Sequence, residues 1–378
     1  MENEVDTLVI GAGPSGLAVA ACLKQRGVSP VIVEREATVA SSWRRHYGRL
    51  HLHTARAHSA LPHLSFPAGT PRYPSREKVV EYLDGYARHF ELTPRFNEAV
   101  QAVRSANGGW TTITSADAYH SRCVVVATGY CAGPNVPRWP GQERFVGRIV
   151  HSSEYRDAEP FRGQRVLVIG FGNSGGEIAM DLHEHGAHVA VSVRGPVNII
   201  PRDVAGISVQ SLSIALGHLP VRLADTLAEP LARAAIGDIT RLGFRKLDMG
   251  PITQIRQTGR VPLIDVGTVE LIREGHIDVL AGVKAMDETT VSFEEGSSRR
   301  FDAIILATGF RPQLSRFLDA ENDLLASGKS PPRRGAEAKP GLYLCGFVIS
   351  PTGMLREIGI EAQRIAEHIA RHARPARR

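Results

Sequence analysis

Cysteine is scarce and poorly placed for chemistry. The 378-residue chain holds four, Cys22, Cys123, Cys131 and Cys345, with no CxxC or other close pair among them, which argues against a disulfide framework and against a redox-active dithiol. The same spacing offers no zinc set, so no metal is expected. Long apolar runs are also missing. None approaches the ~20 residues that span a bilayer, and no obligatory membrane attachment is expected. The start, Met1-Glu2-Asn3-Glu4, is acidic and leads directly into an apolar stretch, unlike a secretory leader; a cytoplasmic protein is the expectation. Aromatic residues make up only 6%, and no basic stripe interleaved with them points to nucleic acid. The excess of 45 Lys and Arg over 39 Asp and Glu suits small anionic ligands instead.

The chain is rich in one pattern, which occurs twice. Its length, with 43% hydrophobic and 22% charged residues, suits about two globular domains. Leu8-Val9-Ile10 is apolar and β-branched enough for a buried parallel strand. The strand runs into Gly11-Ala12-Gly13-Pro14-Ser15-Gly16. There Gly11 permits a tight turn, Gly13 leaves no Cβ against a pyrophosphate, and Gly16 lets the following helix pack on the strand. Val31-Ile32-Val33 then ends at Glu34, eighteen residues after Gly16, whose carboxylate can accept hydrogen bonds from ribose hydroxyls. The repeat comprises a strand at 165–169, the turn Gly170-Phe171-Gly172-Asn173-Ser174-Gly175, a helix at 176–184 and a strand at 188–193. This unit ends in Arg194 where the first ends in Glu34. An acid would repel a 2′-phosphate and Arg can pair with it, so NADP is expected over NAD.

Residues 35–76 are rich in Arg, His and Pro, include Arg35 and Trp43, and are expected to wrap over the cofactor. Ser75 should cap a helix whose apolar residues, Val79 to Phe90, recur at helical spacing. Strands are expected at 99–104, 110–114 and 123–127, the last ending in Thr128-Gly129. The Pro-rich stretch 133–141 reads as a boundary. Amphipathic helices follow at 204–245, then strands of a meander at 277–280, 283–286 and 290–293. A buried strand at 301–307 ends in Thr308-Gly309, echoing Thr128-Gly129. A strand at 341–347 enters a loop at Gly346-Phe347, an amphipathic helix covers 355–371, and an Arg-rich tail closes the chain. Two dinucleotide units in one chain imply hydride transfer from a nicotinamide to a second dinucleotide, naturally FAD. The expected fold is α/β, with two Rossmann-like dinucleotide-binding domains of three-layer ββα type. The FAD domain would be discontinuous, 1–140 and 300–378. The NADPH domain would span 160–299 with a helical insertion at about 204–245, and 141–159 would be a linker.

Within that linker Phe145, Gly147, His151 and Tyr155 match FxGxxxHxxx(Y/F), and the chain resembles the class B flavin-containing monooxygenases. Baeyer-Villiger relatives carry Trp followed by Pro or Asp at the motif's end, where this chain has Tyr155-Arg156. The likeness to the YUCCA (indole-3-pyruvate monooxygenase) branch extends over nearly the whole length. It rests on Arg49-Leu50, His53, Leu61-Pro62, Phe66-Pro67, Met249-Gly250-Pro251, Asp265-Val266-Gly267, Gly341-Leu342-Tyr343 and Gly346-Phe347.

The resemblance implies an FAD-dependent NADPH monooxygenase (EC 1.14.13 type) acting on a small molecule and O2. NADPH would reduce FAD, oxygen would add, and a flavin hydroperoxide would be held away from water. It would then decarboxylate an aryl-pyruvate such as indole-3-pyruvate to the arylacetic acid; the alternatives are N- or S-oxygenation of a small secondary metabolite, or a non-catalytic flavin-binding module. His53-Thr54 stands where animal-type relatives carry Asn-Thr facing the flavin. These two and Arg56 are the expected catalytic group. Cofactor contacts are expected from Gly11, Gly13, Pro14, Ser15, Gly16, Glu34, Arg35, Trp43, Thr128, Gly129, Gly346 and Phe347 on one side. On the other they are expected from Gly170, Gly172, Asn173, Ser174, Gly175, Arg194, Thr308 and Gly309.

Overall fold

The structure, a computed structural model, describes residues 3–217, 219–319 and 334–372; the end of the Arg-rich tail lies outside them. The chain begins with β1 (Asn3–Ile10), α1 (Pro14–Lys24), β2 (Val31–Val33) and α2 (Arg76–His89), followed by β3 (Val100–Ala106), β4 (Gly109–Thr114) and β5 (Ala118–Val126). β1 lies between β2 and β5, parallel to both, with Leu8 opposite Val31 and Val124. Leu8, Val9 and Ile10 are all buried, as the unbroken apolar run requires of a strand covered on both faces. Ser75 caps α2 by accepting from the Lys78 amide. The antiparallel hairpin β3–β4 extends from the first half of β5.

The second half of the chain supplies β6 (Arg148–His151), β7 (Arg165–Ile169), α3 (Asn173–Glu184), β8 (His188–Ser192), α4 (Val209–Leu216), α5 (Val221–Ile236), α6 (Pro251–Thr258) and β9 (Ile277–Leu280). Then come β10 (Val283–Met286), β11 (Thr290–Phe293), β12 (Ser298–Arg300), β13 (Ala303–Leu306), β14 (Glu337–Lys339), β15 (Leu342–Leu344) and α7 (Met354–Arg371). The main order of the first sheet is β2-β1-β5-β15-β14, and the second runs β9-β8-β7-β13-β6. The second sheet is parallel throughout. β15 pairs with β5, and α7 shares a core with α1 through Leu17, Ile365 and Ile369. Both glycine turns therefore sit at the carboxyl edge of a parallel sheet, where open α/β sheets bind ligands.

Three expected assignments are corrected. The supposed linker 141–159 supplies β6, an edge strand paired with β13. The motif itself explains this: a Cβ on Gly147 would stand 2.4 Å from the Asp302 carbonyl oxygen and 2.6 Å from the Phe145 ring. Phe145 folds over a bare backbone and seats the segment against the start of β13. Next, β13 belongs to the second sheet, between β7 and β6, so the chain returns to the first sheet after 306 and not at 300. Its run Ala303-Ile304-Ile305-Leu306 is buried throughout, and the Arg165 guanidinium clasps Asp302 just ahead of it. Finally, β9 is a parallel edge beside β8, and the meander is β10-β11-β12. Gly147→Val should cost ~1–3 kcal/mol by overpacking. A lowered urea midpoint would register it.

Candidate active site

The two glycine turns are built alike. A Cβ on Gly11 would lie 2.8 Å from the Ala127 carbonyl oxygen, and one on Gly16 would lie 1.8 Å from the Gly11 carbonyl oxygen. Gly170 and Gly175 repeat these approaches at 2.5 Å to Ala307 and 2.2 Å to Gly170. The middle glycines differ. Among the described residues nothing lies within 4 Å of a Cβ built on Gly13 or on Gly172, so packing among them needs neither; each leaves a bare cradle that a side chain would fill. Among the described residues no side chain caps α1 or α3, which leaves their leading amides to a ligand, and the helix dipole favours an anion there. The residues present thus fit two pyrophosphates. Glu34 closes the first turn: its carboxylate accepts from Ala12 N at 2.7 Å and Glu36 N at 3.0 Å, each oxygen keeping a lone pair for a hydroxyl.

A single cavity of about 920 Å³ joins the two turns. Of the expected residues, Pro14, Ser15, Arg35, Trp43, His53, Thr54, Thr128, Gly129, Asn173, Ser174 and Gly346 line it. The helical insertion supplies an aliphatic wall to the same cavity that includes Val209, Leu212, Leu216, Leu227 and Leu231 from α4 and α5. Arg56 is a correction to the expected catalytic group. It is exposed, its guanidinium donates to the Thr70 carbonyl, and it does not line the cavity. Cavity-lining Arg156 is a cation without a carboxylate partner among the described residues, donating only to the carbonyls of Ser153 and Tyr155. Phe347 is buried in the first sheet's core, so its side chain faces away from a ligand. Thr308 donates its hydroxyl to the Asn135 carbonyl at 2.6 Å. Arg194 is exposed just beyond β8, with the Arg245 guanidinium on its carbonyl oxygen.

The FxGxxxHxxxY residues knit the second unit together. His151 bridges the Gly309 carbonyl at 3.1 Å and Ser153 Oγ at 2.9 Å, and is packed edge-on against Phe310. Burial lowers its pKa, which favours the neutral ring. Tyr155 donates to Asp181 Oδ2 at 2.6 Å; burial, then that carboxylate, raise its pKa. The motif joins the second sheet to α3 and does not reach the cavity as chemistry.

Sequence alone misses three residues that shape the site. Glu177 on α3 is buried and takes two bonds from the 47–53 loop, from Tyr47 OH at 2.6 Å and from His53 Nε2 at 2.7 Å. Gln210 on α4, also buried, accepts from Ala55 N at 2.9 Å and donates to the Thr352 carbonyl at 2.7 Å. It therefore ties the insertion to both the His53 loop and the turn before α7. Glu361 on α7 accepts from Gly346 N at 2.8 Å, and burial raises its pKa to about 7. Glu177 and Asp181 had a visible signal, two acids four apart on the face that carries Ile178 and Leu182. Gln210 had none.

Comparison with known proteins agrees with this architecture. The family model of the pyridine nucleotide-disulphide oxidoreductases matches residues 8–210. The probable indole-3-pyruvate monooxygenase YUCCA1 of Arabidopsis thaliana is 41% identical over 348 residues, covering 90% of this chain and 84% of the relative. The indole-3-pyruvate monooxygenase YUCCA1 of Oryza sativa subsp. japonica is 40% identical, with 90% and 86% covered. Among solved structures, the flavin-containing monooxygenase from Stenotrophomonas maltophilia superposes with a TM-score of 0.73 at 23% identity, covering 98% of this chain and 99% of that one. All four cysteines are free, three of them buried. The chain belongs to the YUCCA branch of the flavin-containing monooxygenases and is an FAD-dependent monooxygenase.

Proposed function

We propose that this enzyme uses NADPH and O2 to decarboxylate an aryl-pyruvate such as indole-3-pyruvate to the arylacetic acid. One oxygen atom enters the new carboxylate and the other leaves as water; C1 departs as carbon dioxide and NADPH becomes NADP+. The observation that carries the reading is the single cavity. It connects both glycine turns and has an aliphatic wall on the insertion side, against the polar His53-Thr54 edge and Arg156. An aromatic ring suits the first, and the Arg156 cation suits the carboxylate of an α-keto acid. The curated relatives named as indole-3-pyruvate monooxygenases support the same choice.

FAD, when bound, supplies the two-electron and oxygen chemistry that the side chains lack. On this reading Gly13, Ser15 and Glu34 hold its pyrophosphate and ribose, and Trp43, Thr128 and Gly346 border the cavity where its ring would lie. Gly172, Asn173 and Ser174 hold the NADPH pyrophosphate, with Arg194 toward the 2′-phosphate. The insertion excludes water, with Gln210 keeping it closed on the His53 loop.

The direct test is a substrate panel, with NADPH consumption compared with product by mass spectrometry. Aryl-pyruvates should give the arylacetate, whereas oxygen retained on an amine or sulfide with no turnover of keto acids would overturn the proposal. A second expectation concerns Arg194. Loss of a charge-assisted bond to phosphate should raise KM for NADPH about tenfold or more in Arg194→Ala and leave KM for NADH nearly unchanged. Steady-state kinetics with both nucleotides decide, and equal effects would remove Arg194 from that role.

A further inference from the structure

Glu177 belongs to one dinucleotide unit and acts on the loop of the other. It lies in the first turns of α3, just after the second glycine turn, and is 4% exposed. Its two oxygens are each committed to one group from the 47–53 loop, Oε2 to Tyr47 and Oε1 to His53. Tyr47 is itself buried, with Ser174 of the glycine turn beside its hydroxyl. A carboxylate accepts and cannot donate. With Glu177 ionised, the proton between it and His53 sits on His53 Nε2. His53 Nδ1 has no hydrogen-bond partner among the described residues, and the ring lines the cavity.

We propose that Glu177 is the positioning residue of this site: it fixes the His53 ring with its proton on Nε2, so that the Nδ1 lone pair is offered to the cavity as an acceptor. An N–H or O–H on the cavity's occupant is the complementary group. Buried outer partners fix histidine tautomer and ring orientation in this way. Because Glu177 is carried on the helix whose leading amides face the second cradle, the ring's position is set by the nucleotide-side unit. The functional consequence rests on reading the cavity as the site of oxygenation, whereas the hydrogen-bonded pair does not.

The test uses the full, flavin-loaded chain. Proton NMR should show a downfield, slowly exchanging imidazole N–H, assigned to His53 by its loss in His53→Asn. It should persist in Tyr47→Phe, which leaves the His53 pair intact, and vanish in Glu177→Leu. Product formed per NADPH should fall in Glu177→Leu as far as in His53→Ala, and the double variant should be no worse than His53→Ala alone, as expected when one residue acts only through the other. A wild type without the protected resonance would overturn the proposal, and so would normal product yield in flavin-loaded Glu177→Leu or losses that multiply in the double variant. If Glu177→Leu retains no flavin, the wild-type and Tyr47→Phe spectra still decide. A wild type that shows the resonance but makes no arylacetate sinks the substrate reading and leaves the pair standing.

Discussion

Gly13→Val should purify as a folded, colourless protein. Gly13 has φ −80° and ψ −174°, extended backbone that valine adopts freely, and its missing Cβ faces open space. The substitution therefore costs the protein's own packing almost nothing. What it fills is the cradle over the first amides of α1, where the pyrophosphate of FAD is expected. Overpacking against a ligand there amounts to about 3 kcal/mol, roughly a hundredfold in Kd. Gly16→Val provides the contrast, because its Cβ would stand 1.8 Å from a backbone oxygen of the same turn and should destroy the fold itself. Flavin absorbance and circular dichroism on both variants separate the two outcomes. Full flavin content in Gly13→Val would show that the cradle does not hold the cofactor.

His53→Ala should leave flavin reduction by NADPH close to the wild-type rate and yet send most of the consumed oxygen to hydrogen peroxide. The ring borders the cavity, held by Glu177 from behind. Its removal takes away a placed hydrogen-bond acceptor in a water-poor pocket and leaves the occupant's N–H or O–H unpaired, which costs about 1–3 kcal/mol, roughly ten- to a hundredfold in product formation. Stopped-flow reduction, peroxide yield and product measured on one preparation decide. Normal product per NADPH in a fully flavin-loaded variant would assign His53 to packing alone.

These residues differ in how far the sequence discloses them. β1, α1 and their counterparts β7 and α3 were legible because each is a local event: an unbroken apolar run, a turn whose glycines are adjacent in sequence, and a helix that follows at once. The closing acid Glu34 and the basic Arg194 are equally local. His53 was legible only through its resemblance to a family, since nothing near it in sequence marks one histidine among fifteen. β6 escaped because its pairing is long-range, set by Phe145 folding over Gly147 against Asp302, in a segment whose Pro-rich approach reads as a linker. The assignment of β13 to the wrong sheet has the same origin. A run of four buried apolar residues fits either parallel sheet, and only strand order distinguishes them. Arg56 was misjudged for the opposite reason. It lies three residues from His53, but the short helical turn at Arg56–His58 carries it outward to Thr70. Glu177 and Gln210 act across 124 and 155 residues of sequence; the local pattern on α3 marks Glu177 as unusual without disclosing its partners, and nothing local marks Gln210.

The account is tested most directly by turnover of indole-3-pyruvate under 18O2 with NADPH, following label and stoichiometry together. It predicts one 18O atom in the arylacetate carboxylate, one carbon dioxide released and one NADPH consumed per product. NADPH oxidation matched by hydrogen peroxide, with no labelled arylacetate, would contradict it.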